Sequence, residues 1–372
     1  MRLTKLSTKL ALSMMLGCLV VMAPLILLFR AMERAERFWL WDALFILAGL
    51  LVLFAVCLFI ARRVLKPLYT LIRNSRLALT GKLTGPLPES ELKGEIGDLA
   101  RDFEKLRYAL ERTDRRLSKA EAEKRRIEGE LQIAFDIQHS LLPKLDRVNS
   151  GDDRIEVAGK LQPAMAVGGD LYNAFFVDRS HLCVCMGDVS GKGISAALFM
   201  GVVQTLVRSV ARYNASPAAI LDHVNKDRAS SNESCMFVTL FCAVINMRSG
   251  TMAYCNGGHN PPLVIRRDGQ ADFLSCHGGA LVGMSPDIIY KDEYMVLRPG
   301  DTLFLYTDGV TEAFQKSGAM YSETRLKNFL QNKNSLNCEG IVEGVWKDVE
   351  TFVGDAPQSD DIAMLSVRYL GK

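Results

Sequence analysis

The chain has 372 residues, and 45 Lys and Arg against 42 Asp and Glu leave a net charge of only +3. That balance lacks the basic excess that grips a phosphate backbone, which argues against a nucleic-acid binder. The nine cysteines are scattered, odd in number and never form C-x-x-C, and only five histidines are present, so neither a disulfide framework nor a zinc site fits.

Residues 10–29 and 43–61 are uncharged apolar runs of 20 and 19 residues. At 1.5 Å per residue each is long enough to span a hydrocarbon core about 30 Å thick. Eight basic residues flank their outer ends (Arg2, Lys5, Lys9, Arg62, Arg63, Lys66, Arg73 and Arg76), against Arg30, Arg34 and Arg37 in the 30–42 loop. The asymmetry predicts a two-span membrane anchor, 1–63, with both ends in the cytoplasm. A cleaved signal ending near Cys18 fits less well, because the apolar run continues eleven residues beyond it. The 13-residue loop is too short to fold as a sensor domain.

Two amphipathic segments follow, 64–79 and 95–110, separated by a connector holding Gly81, Gly85, Pro86, Pro88 and Gly94. Their layout behind a membrane span, with EIGDLARDFEKL opening the second, resembles a HAMP signalling domain (64–114). The same register continues at spacings of three and four from Ile96 through Leu99, Phe103, Leu106, Leu110, Leu117, Ile127 and Leu131 to Leu141, interrupted by polar Thr113, Lys124 and Gln138. It predicts a coiled-coil signalling helix (115–142) and hence a homodimer.

The remainder, 150–372, reads as one α+β domain. Strand-like runs occupy 155–161, 171–177, 182–186, 237–245, 252–255, 263–265, 302–306 and 362–367, and helical patterns 194–213, 217–228, 323–331 and 339–352. Strands outnumber helices without alternating regularly, which favours packed antiparallel sheets flanked by helices. Four aspartates sit at the ends of these runs: Asp170, Asp188, Asp308 and Asp360. Carboxylates brought together without basic partners resist ionising unless a cation lies between them. Oxygen-only donors suit Mg²⁺ or Mn²⁺ rather than Zn²⁺.

GGDLYN, GDVSGKG, NGGHNPP, LRPGDTLFLYTDGVTEA and SDDIAML, in this order, resemble the SpoIIE/RsbU-type serine phosphatases, a bacterial branch of the metal-dependent PPM (type 2C) phosphatases. The resemblance covers about Phe135 onward, and IQHSLLP is similar to the entry of that domain. It implies a four-layer αββα sandwich and two divalent ions, Mn or Mg. The implied ligands are Asp170, Asp188 as the bridge, the Val189 carbonyl, Asp308, Asp360 and Asp361. It further implies a serine/threonine phosphatase in a bacterial cytoplasmic membrane, its catalytic domain in the cytoplasm. The implied substrate is a phosphorylated STAS-type anti-anti-sigma protein in a partner-switching pathway.

The chain departs from the family pattern at Asn173 (usually Asp), Ala363 (usually Thr) and Gly257 (usually Ala), and Asn173 carries the expectation of weaker metal binding. His259 and Lys192 read as turn residues more than as catalytic ones. Two alternatives are a HAMP-containing sensor histidine kinase using His139 and a catalytically dead scaffold. The kinase lacks an N-x-x-x-N or a glycine-rich lid, and the scaffold has no reason to keep four aspartates.

Overall fold

The computed structural model describes residues 38–79, 87–91, 94–230, 232 and 235–371, plus isolated helical positions between 16 and 27. Most of the first expected span, 10–29, and residues 80–86 of the connector lie outside the described residues. The chain divides into two units, 1–124 and 125–372.

In the first unit, α1 (Phe38–Ile60) is long and apolar enough to cross a membrane over Ala43–Ile60, with none of that stretch buried. A π-helical turn, Ala61–Leu65, carries Arg62 and Arg63 and leads into α2 (Lys66–Leu79). Leu71, Leu87 and Ala100 are buried together, with Phe103 packed on them. The connector is pinned to the next helix, α3 (Glu95–Leu141), where Glu104 accepts the Leu87 amide at 2.5 Å and Arg101 donates to the Ser90 carbonyl at 2.6 Å. Along α3, Leu99, Leu106, Leu110 and Leu117 of the predicted seam are each more than half exposed in the single chain.

The second unit starts within α3. Its last seam positions do not wait for a partner helix. Gln138 is buried, donating to the Gly168 carbonyl at 2.7 Å and accepting the Gly168 amide at 3.2 Å, while the Leu141 carbonyl accepts from Gln204. A short α4 (Leu145–Asn149) then leads into β1 (Ile155–Gln162), β2 (Leu171–Phe176) and β3 (His181–Val189). Helices α5 (Ile194–Ala211) and α6 (Pro217–Ser230) precede β4 (Val238–Asn246), β5 (Thr251–Gly257), β6 (Leu263–Ile265), β7 (Ala271–Phe273), β8 (Glu293–Val296) and β9 (Thr302–Tyr306). The series ends with α7 (Asp308–Thr311), α8 (Glu323–Leu330), α9 (Cys338–Val353) and β10 (Ile362–Tyr369).

Two five-stranded antiparallel sheets result, in the orders β1-β10-β9-β6-β7 and β2-β3-β4-β5-β8. Strand periodicity fixes how they stack, since alternate residues face opposite sides. On β3, Leu182, Val184 and Met186 point into the core between the sheets, meeting Ala363, Leu365 and Val367 of β10. Cys183 and Cys185, on the other side, pack under Met200, Val203 and Val207 of α5. Ile362 and Met364 of β10 likewise face Leu326, Ile341 and Val345 of α8 and α9. The layers therefore run helix, sheet, sheet, helix, the expected sandwich. α5 also has the length and apolarity of a membrane span, but its buried face is part of this core.

Candidate metal centre

The four aspartates arrive from separate elements. Asp170 immediately precedes β2, Asp188 lies near the end of β3, Asp308 opens α7 directly after β9, and Asp360 stands two residues before β10. Both sheets contribute, and the acids act on one another. Burial, then the charge of Asp188, holds the Asp170 carboxyl well above the usual carboxylate range, opposed by a hydrogen bond from Thr307. Asp188 is pushed up to about 7 by burial, then by Asp308 and Asp360. Asp308 is raised by burial, with Glu312 and Asp360 adding to it.

Local geometry explains how each acid is held. Thr307 Oγ1 donates to Asp170 Oδ2 at 2.6 Å and accepts the Ala363 amide at 2.8 Å, joining the ends of β9 and β10 to the start of β2. Nothing in the sequence marked Thr307 for this role beyond its place before Asp308. Asp361, expected among the ligands, is buried, with Oδ1 accepting the Ala164 amide at 2.8 Å and Oδ2 the Gly169 amide at 2.7 Å. Its carboxylate therefore ties down the turn that carries Asp170, and each oxygen keeps a further lone pair. That closeness requires glycine: a Cβ on Gly168 would lie 2.0 Å from Asp361 Oδ2. Gly169 brings the turn against the Val189 carbonyl, where a Cβ would lie 2.8 Å from that oxygen.

Asn173 corrects an expectation. It shares the face of Leu171 and Phe175, which pack under α5, and neither side-chain polar atom has a partner. Three residues from Asp170 on an extended strand, it points the opposite way, so the carboxamide is buried beneath the helix and not in the acidic cluster. His259 is also structural in its contacts. Its Nε2 donates to the Tyr306 carbonyl at 3.1 Å, which leaves Nδ1 to accept from Thr239 Oγ1 at 2.8 Å. Burial pushes it down to about 4, keeping the ring neutral.

Lys192 is the cation of the cluster. Its Nζ lies 3.0 Å from Asp360 Oδ2 and donates to the Ser359 carbonyl at 2.7 Å. Among the described residues no three acidic, thiol or imidazole side chains already stand in a closed coordinating arrangement, so the aspartates are gathered but not closed around a point. The donor chemistry still fits hard divalent ions: the donors are all oxygens, and burial, then mutual repulsion, raises Asp170, Asp188 and Asp308.

A profile of the Stage II sporulation protein E (SpoIIE) family matches residues 178–370, a span holding Asp188, Asp308 and Asp360 and beginning just after Asp170. Protein IcfG of Synechocystis sp. is 29% identical over 266 residues, 64% of this chain and 41% of that protein. The phosphoserine phosphatase RsbU of Bacillus subtilis is 26% identical over 243 residues, 65% of this chain and 70% of its own. The chain thus spans well under half of IcfG but more than two thirds of RsbU. Among solved structures, the SiaA-PP2C domain of Pseudomonas aeruginosa aligns with a TM-score of 0.59 at 21% identity, covering 67% of this chain and 99% of that one. The PP2C phosphatase domain of SpoIIE from Bacillus subtilis, with a fragment of its regulatory domain, aligns at 0.51 and 15% identity, covering 58% and 63%. The two structures share the sandwich fold. With just over half of its residues inside the matched profile, the chain belongs to the SpoIIE family.

Proposed function

We propose that this chain is a membrane-anchored, metal-dependent protein serine/threonine phosphatase whose substrate is a phosphoserine regulator of STAS type in a partner-switching pathway. The observation that carries the reading is the meeting of four aspartates, from both sheets, in one acidic cluster of a SpoIIE-family domain. RsbU, a relative, is a phosphoserine phosphatase, which supports the substrate class. The apolar α1 supports anchoring, and the bare seam of α3 supports dimerisation through the HAMP-like and coiled-coil segments.

In this reading Asp170, Asp188, the Val189 carbonyl, Asp308 and Asp360 hold two Mn or Mg ions. When bound, such ions neutralise the carboxylates, polarise the phosphoryl group and supply an activated water. The residues of the chain do the positioning. Thr307 fixes the Asp170 carboxylate, Asp361 clamps the turn before it, and His259 joins β4 to β9 so that Asp188 and Asp308 keep their spacing.

The test is hydrolysis of a phosphoserine STAS protein, or of p-nitrophenyl phosphate, by the full chain in detergent. Turnover is expected with Mn²⁺ or Mg²⁺ and not in chelator, and Asp188→Ala loses well over about tenfold in kcat/KM. A smaller loss overturns the assigned chemistry.

A further inference from the structure

Lys192 sits where sequence alone gives it only turn duty, between Gly191 and Gly193 ahead of α5. Its ammonium reaches across to Asp360 Oδ2 at 3.0 Å, and the Ser359 carbonyl fixes it at 2.7 Å. The other Asp360 oxygen accepts the Asp361 amide at 2.9 Å, so this carboxylate is held from both sides. Both partners remain open to solvent, the lysine side chain 46% exposed and the aspartate 39%. Exposed ion pairs of this kind contribute little and weaken with salt. The flanking glycines have φ of +92° and +78°, and a Cβ at either would meet nothing within 4 Å. The lysine therefore rides on a short loop with free space around it, and it gives up its partner easily.

An acidic centre that receives divalent ions must also keep its shape before they arrive. Unpaired, Asp360 and Asp308 repel each other and Asp188. A single monovalent charge on a flexible stem eases that repulsion without satisfying it, and a divalent ion competing for the same oxygen wins by charge. We propose that Lys192 is a positioning residue for this centre, a built-in counter-ion that holds Asp360 and is exchanged for the divalent ion when the metal binds. The inference rests on the metal-dependent phosphatase reading and adds that metal binding is a competition against this lysine, which sets the ion concentration at which the centre fills.

Calorimetric titration of the full chain with Mn²⁺, in the absence of substrate, tests it. Lys192→Met is expected to bind Mn²⁺ about three- to tenfold more tightly than the parent at low ionic strength, with the gap narrowing as NaCl rises. Lys192→Arg, which keeps the charge, binds no more tightly than the parent. Tightening is the informative direction, because a variant that merely disturbed the loop would bind metal less well. Lys192→Met with the parent's affinity, or weaker, overturns the competition. A parent that binds no Mn²⁺, or an Asp360→Asn variant that binds as tightly as the parent, overturns the metal-centre reading beneath it.

Discussion

Thr307 shows how much of this centre depends on a hydroxyl that carries no chemistry. It donates to a fully buried carboxylate and accepts the Ala363 amide, so its loss strands two buried polar groups at once. Leaving a buried donor or acceptor unmade costs about 1–3 kcal/mol. Thr307→Val, nearly isosteric, is therefore expected to lower stability by about 2–6 kcal/mol, read from the urea midpoint, while Thr307→Ser stays close to the parent. The principal aspartates were legible because each stands in a turn at the end of an apolar run. Thr307 was not, because its role exists only once β9 and β10 lie side by side. The clamp that Asp361 provides is hidden in the sequence for the same reason: adjacency to Asp360 says nothing about which backbone amides a carboxylate meets. The place of Asn173 follows from strand alternation, which sends positions 170 and 173 to opposite faces.

At the scale of elements, the long strands and helices were readable from their apolar spacing, and their observed ends differ from it by a few residues. The strands β7 and β8 were missed. They have three and four residues, are interrupted by charge, and are strands only because β6 and β5 offer them an edge. The join between the two sheets at His259 makes a pH prediction. The native ring stays neutral down to about 4, whereas the unfolded ring takes a proton near 6.5. Between those values the unfolded chain binds more protons, so stability rises with pH and is lost as pH falls through this window. Urea unfolding should show a loss of about 2 kcal/mol from pH 7 to pH 5 in the parent that is absent from His259→Gln, whatever the absolute stability of the variant. An equal loss in both places the dependence elsewhere.

For the whole molecule, the register of α3 argues for two copies. Leu99, Leu106, Leu110 and Leu117 expose an apolar stripe that a paired helix would cover, whereas Gln138 at the far end is already engaged with Gly168. Gln138 interrupts the repeat no differently from Thr113 and Lys124, because the contacts that end the seam come from a loop thirty residues on. Leu110→Glu buries a charge in the proposed seam, and self-association of the full chain in detergent should weaken by more than about tenfold, measured by sedimentation. Unchanged association would place the dimer contact outside α3.

The placement of β10 also bears on how the protein is made. It pairs with β1 over eight residues, from Ile155 opposite Tyr369 to Gln162 opposite Ile362, and separates β1 from β9 in the sheet. A nascent polypeptide still lacking this segment carries Asp170, Asp188 and Asp308 but neither Asp360 nor the clamp from Asp361. In the metal-dependent reading proposed above, hydrolysis requires β10 to be made and docked, and polypeptides that stop short of it are expected to be inert.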